Sequence, residues 1–163
     1  MFRKKIVVGD VFEVRIDDLT KRFFQYVAND ATQLSSPVVR VFRESYGVGE
    51  SPDLLSVTQG EVDFHAHVLS LRLGVKQQEW RKVGHAPPPL DLDDVLFRDS
   101  MDYGKPHIKV SRDWHVWKIG GPFQSVGALG PRYERAEVGV IIPPARVVHR
   151  IRNGEYDFVY PGY

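Results

Sequence analysis

The stretch GDVFEVRIDDLTKRFFQYVANDATQLSSPVVRVF, residues 9–42, decides the fold. In its first run, residues 11–16, Val11, Glu13 and Arg15 alternate with Phe12, Val14 and Ile16. A period of two marks a half-buried strand. Asp17-Asp18-Leu19-Thr20 then supplies turn chemistry, since short polar side chains bond their own backbone. Residues 22–27 (RFFQYV) form a second run rich in strand-favouring aromatics, so the pair predicts a hairpin with a four-residue loop. Beyond a polar segment, 28–37, residues 38–42 (VVRVF) predict a third strand.

Outward from this stretch the pattern stays short and strand-like. Ser51 followed by Pro52 predicts a short helix, because proline suits the first helical position. Residues 62–73 (VDFHAHVLSLRL) alternate again and predict a longer strand, bent near Ser70. Pro87-Pro88-Pro89 favours an extended surface crossing that cannot join a ladder. The following segment, 90–102, is ambiguous between a strand with outward carboxylates and a short amphipathic helix. Residues 108–110, 114–119 and 137–142 predict further strands, with Gly120-Gly121-Pro122 and Pro143-Pro144 as stops. At the end, Asn153-Gly154 between 147–151 and 156–160 predicts a closing hairpin, with Tyr156, Phe158 and Tyr160 on one face. The expected fold is mainly β, with α+β as the variant: one antiparallel twisted sheet or a partly open barrel, carrying one or two short helices. The whole chain, 1–163, reads as a single β-rich domain.

Composition narrows the function classes. Apolar residues make up 42% and charged residues 26%, with 9 Phe, 7 Tyr and 3 Trp, which is ordinary for a globular domain. The chain has no cysteine, which excludes a disulfide framework, thiol catalysis and zinc–thiolate sites. Gly9, Asp10, Glu13 and Arg15 interrupt any signal-peptide core, and no window approaches the roughly 20 apolar residues of a membrane span. A cytoplasmic protein without a membrane partner is expected. Twenty-two basic and 21 acidic side chains leave a net charge of +1, so any electrostatic partner must meet a local patch.

Four groups of side chains carry possible chemistry. His65 and His67 flank Ala66 in a predicted strand, which places both imidazoles on one face about 7 Å apart, with His85 as a third potential metal ligand. Their competing reading is a pair of histidines on a solvated strand face. His115 with Asp113, or His107 with Lys105 and Lys109, supplies the minimum for acid–base chemistry, as in a metal-free nuclease. No nucleophile elbow, P-loop, dinucleotide turn or H-E-x-x-H motif accompanies them, so no cofactor and no enzyme activity is expected. Arg22, Arg40 and Arg43 interleave with Phe23, Phe24, Tyr26 and Phe42, the pattern of an RNA-binding stacking platform or of a core with solvated edges. Finally, Asp91, Asp93, Asp94, Asp99 and Asp102 lie within twelve residues with only Arg98 to offset them. On one surface they would meet a basic partner and speed its encounter.

Taken together, GDVFEV at 9–14, RFFQYVANDATQL at 22–34, LGVKQQEWRKVG at 73–84 and GEYDFVYP at 154–161 make the chain resemble the bacterial immunity proteins of polymorphic-toxin and contact-dependent growth-inhibition systems. It is most similar to the group whose members begin with a G-D-[VI]-F-x-[VI] strand. The resemblance implies a small cytoplasmic, non-enzymatic antitoxin that binds and neutralises one cognate toxin domain. Many such toxins are nucleases with basic surfaces, which makes the five aspartates the expected contact. Nucleic acid itself is not the expected partner.

Overall fold

A computed structural model describes residues 5–163. Among these residues the chain is mainly β, built as two open sheets with three short α-helices. In the larger sheet, β1 (Asp10–Arg15), β2 (Thr20–Asp30), β3 (Ser36–Phe42) and β5 (Val62–Val68) run antiparallel in the order β5-β3-β2-β1. β4 (Tyr46–Gly47) pairs with the start of β2, and β6 (Arg81–His85) forms the edge beside β1. The smaller sheet is the meander β7 (Leu96–Ser100), β8 (Trp114–Lys118) and β9 (Gln124–Gly127), with β10 (Glu137–Val138) added parallel to β7. β11 (Ile141–Ile142) closes the larger sheet parallel to β5.

The opening hairpin forms as its alternation demands. Phe12, Val14, Phe24 and Tyr26 point into the main core with Val39, Val41, Phe64 and Ala66. Asp17 Oδ1 fixes the turn by accepting from Leu19 N, Thr20 N and Thr20 Oγ1 at 2.8–2.9 Å. The core is capped by α2 (Leu71–Lys76) and α3 (Pro144–Asn153), which contributes Val147, Val148 and Ile151. Phe24 stacks on Phe12 at 5.0 Å and meets Trp80 edge-on at 5.0 Å. Truncating such a ring costs about 3–5 kcal/mol. The other face of the sheet is covered too. Val11, Phe23, Phe42 and Ala86 pack with α1 (Leu54–Thr58), and Val27 and Val38 pack against Phe97 and Trp117 of the smaller sheet.

Four expectations are corrected. The β elements fall into two sheets with parallel additions, because residues 137–142 switch sheets at Gly139. A Cβ there would sit 2.1 Å from Trp117 and 2.9 Å from the Arg98 carbonyl, so only glycine lets the strand pass. The strand at 62–73 ends at Val68: Ser70 is the N-cap of α2, its Oγ accepting from Leu73 N at 3.1 Å. The closing hairpin does not exist. Pro143-Pro144 starts α3 rather than merely stopping a strand, and Gly154 ends it in the left-handed conformation (φ 84°), its N–H bonding Arg150 O at 2.7 Å. Tyr156, Phe158 and Tyr160 nevertheless all pack toward the main core. Residues 108–110 form no strand, only a bridge from Val110 to Gly162. The helix after Pro52 is present as α1, capped by Asp53.

No helix among the described residues is long and apolar enough to cross a membrane.

Candidate functional site

Three polar regions stand out, and they differ in how fully the protein satisfies them.

The first is the seam between the sheets. Asp30 ends β2, completely buried, and its carboxylate collects four donors. Oδ2 accepts from Trp117 Nε1 at 2.9 Å and pairs with His67 Nε2 at 2.8 Å; Oδ1 accepts from Gly120 N at 2.9 Å and Thr32 N at 3.0 Å. Burial alone would raise its pKa, but these bonds hold the carboxyl below the usual range. Burial also wins at His67, whose pKa is lowered despite the neighbouring carboxylate, and its Nδ1 has no partner. His65 stands on the same strand face, as the spacing predicts, beside Arg40 of β3. Burial, aided by the Arg40 charge, pushes its pKa down to about 4, so it is neutral at pH 7.

The three-histidine metal set is not assembled. His85 lies on β6, three strands beyond β5's neighbour β3 in the order β5-β3-β2-β1-β6, and its Nδ1 pairs with Asp10 at 3.2 Å. Among the described residues no group of three histidines and carboxylates could hold a metal. His115 lies opposite Asp99 in the ladder and packs on Trp117 and Phe123, without a hydrogen bond to Asp113. His107 is exposed in a turn beside Lys105 and Lys109.

The arginines expected beside the aromatics are committed internally. Arg22 donates to Phe42 O and Ile151 O and pairs with Asp63 at 2.8 Å. Arg40 donates to Gln25 Oε1 and Thr58 O, while Arg43 pairs with Glu61 and Asp63. Phe24 and Tyr26 are core, and Phe23 and Phe42 belong to the second apolar cluster, so no stacking platform is presented.

The second region is the proline- and aspartate-rich loop, 86–95. Its sequence explains its shape. Ala86 is buried, and Gln25 Nε2 clamps the loop by donating to Ala86 O at 2.8 Å and Pro87 O at 3.4 Å. Leu92 and Val95 turn inward against Val27, Val38, Phe97 and Trp117. Asp91, Asp93 and Asp94 therefore turn outward, with Asp91 Oδ1 accepting from Asp93 N at 2.8 Å to set the turn. None of the three has an ion pair among the described residues. Leu90 beside them is fully exposed, at 106% of its reference area.

The five-aspartate patch divides. Asp99 lies in β7 and is half-buried, accepting from Ser100 N at 2.8 Å and Tyr160 Oη at 3.0 Å; burial pushes its pKa up against those bonds. Asp102 accepts from Ser111 Oγ at 2.7 Å and pairs with Lys105 at 3.3 Å, and the Ser111 bond leads in lowering its pKa. These two are taken up by the turn and strand around them. Asp91, Asp93 and Asp94 are the exposed remainder.

The third region has no counterpart in the sequence reading. An open cavity of about 540 Å³ lies where residues 134–138, the turn after α3 and the C-terminal Tyr163 meet. Arg98, Arg135 and Arg150 line it with Glu134, Glu137 and Glu155. Glu137 pairs with Arg150 at 3.2 Å. Burial raises the Glu137 pKa against the pull of Arg150, and at Arg150 burial is opposed by the combined charge and hydrogen bonding of Glu137 and Tyr156, which together raise its pKa. Contributing residues so far apart in sequence leave no local motif.

Compared with protein-family models, curated proteins and solved structures, the chain finds no match in any of the three.

Proposed function

We propose that the chain is a non-catalytic protein-binding module that captures a basic partner on the loop 87–95, and that this partner is a cognate toxin domain neutralised by an immunity protein. One observation carries the binding reading: a pinned loop that holds three unpaired carboxylates outward beside a fully exposed leucine. Both ends of the loop are fixed by the protein, so little conformational entropy is lost when a partner docks. An exposed apolar side chain ringed by like charge is the composition of an interface anchor with a steering rim. The toxin assignment rests on the resemblance of the four sequence phrases to immunity proteins.

Co-expression with the product of the adjacent gene tests the reading. The chain is expected to rescue growth and to co-purify with that product. Wild-type binding should weaken steeply with salt, and replacing Asp91, Asp93 and Asp94 by asparagine should flatten that slope. Absence of rescue and of a complex would remove the toxin assignment, and a salt-insensitive complex would remove the acidic loop from it.

A further inference from the structure

The larger sheet ends in a strand whose outer side is open. β6 bonds β1 along one edge, and no strand pairs with its other edge among the described residues. Outside that ladder none of their hydrogen bonds reaches the main chain of residues 81–85; the clamp from Gln25 Nε2 stops at Ala86 O and Pro87 O. Such an edge is a template for one more strand, held through its main-chain groups. Two cavities flank it. One, of about 350 Å³, is lined by Phe23, Leu54 and Val83 from the second apolar cluster, and the other, of about 340 Å³, by Trp80 from the main core. These clusters cover opposite faces of the sheet, and Glu13 and Arg81 line both cavities, so the edge runs between them. The side chains of an added strand alternate between the two faces, which directs them to the two cavities in turn.

Charge selects the occupant. Arg15, Lys21, Arg81, Lys82 and Arg152 line the cavities against Glu13 and Glu79. Glu13 is shared by Lys21 and Arg81, and Lys82 pairs with Asp10 at 2.7 Å. Arg15 and Arg152 are exposed and have no carboxylate partner among the described residues, and the Arg81 side chain is 73% exposed. Even with Asp10 counted, the cations outnumber the carboxylates. A second copy of β6 would bring the same cations to the edge and be repelled, which is how basic residues keep edge strands from pairing with themselves. An acidic strand gains opposite-charge pairs in the same place. We propose that the outer edge of β6 takes up an acidic extended segment of another protein as an added strand, its carboxylates meeting Arg15, Arg81 and Arg152. This surface lies at the Arg81 end of β6, whereas the loop 87–95 leaves from the His85 end, and it does not depend on the toxin reading.

The test titrates the full chain with a short peptide of alternating glutamate and valine, following NMR shifts and amide hydrogen exchange at residues 81–85. The peptide should bind saturably and slow exchange of the β6 amides. Its lysine–valine counterpart should bind at least tenfold more weakly, and so should the acidic peptide N-methylated at every residue, which keeps the charge but loses the main-chain donors. Arg81→Gln should weaken the acidic peptide several-fold; should that variant misfold, Arg152→Gln, at an exposed position, should do the same. No saturable binding at millimolar peptide, equal affinity for the lysine or the N-methylated peptide, protection that leaves β6 unchanged, or unaltered affinity in the variant that folds would each overturn the proposal. So would tighter binding of oligouridylate at the same residues, or self-association of the free chain through β6.

Discussion

Asp30 and the trio Asp91, Asp93 and Asp94 are the same side chain under opposite conditions. Asp30 is wholly buried and meets four donors from three parts of the chain. The trio is exposed and meets no cation among the described residues. The difference shows which carboxylates hold the protein together and which remain available to another molecule. A buried carboxylate stripped of its partners is strongly unfavourable, so Asp30 is fixed by the fold. An exposed one costs the fold almost nothing, and its unspent charge can act on a partner.

The contrast can be broken most forcefully at Asp30. Asp30→Ala leaves His67, Trp117 and Gly120 without their acceptor, and should destabilise by about 3–5 kcal/mol in a denaturant titration. A loss under about 1 kcal/mol would mean that the seam does not depend on this carboxylate. Next in size is Gly139→Ala, which forces a methyl into Trp117 and the Arg98 carbonyl and should cost about 1–3 kcal/mol.

Acid sharpens the comparison. His65 stays neutral in the folded chain down to about pH 4 but takes a proton near 6.5 when unfolded. Below pH 6.5 the unfolded state therefore binds the extra proton, and stability falls as pH drops from there to about 4. The slope should be about 1.4 kcal/mol per pH unit for this one group, in the same sense for His67, whose pKa is also lowered. His65→Gln should reduce the slope, as checked by denaturation at pH 7, 6 and 5. The smallest effect belongs to the exposed trio: replacing all three with asparagine should change stability by less than about 0.5 kcal/mol.

Much of this architecture is legible in the sequence where burial follows a simple period. Residues 9–42 alternate because one face of each strand meets the main core, and that signal survives without any tertiary information. The period fails for short elements. α2 spans six residues, less than two turns, and its Leu-Arg-Leu start continues the strand alternation, so only Ser70 marks the change. In α3, Val147, Val148 and Ile151 already have helical spacing, but β-branched residues before Asn-Gly also fit a hairpin. Proline before the run settles the matter, since it both ends a strand and opens a helix. β6 was hidden because its residues, RKVGH, have no buried member to set a period.

The aspartates were legible as a composition and not as an arrangement. Leu92 and Val95 reach the core and so sort their neighbours outward, whereas Asp99 and Asp102 find Tyr160 and Ser111, partners that no local pattern names. The importance of Asp30 was invisible for the same reason. Thr32 N is a local donor, but the other three come from β5, β8 and the turn after β8, which converge on Asp30 only in the folded chain. The arginine-lined cavity likewise draws on β7, α3 and the C-terminus.

The central claim is that the three clustered carboxylates held outward by the loop 86–95, Asp91, Asp93 and Asp94, are the ones a partner uses. It is tested most directly by the affinity of the D91N/D93N/D94N variant for the adjacent-gene product, measured across a salt series beside the wild type. The account predicts at least tenfold weaker binding at low salt and a flattened salt dependence, with the unfolding midpoint unchanged. Wild-type affinity and an unaltered salt slope in that folded variant would contradict it.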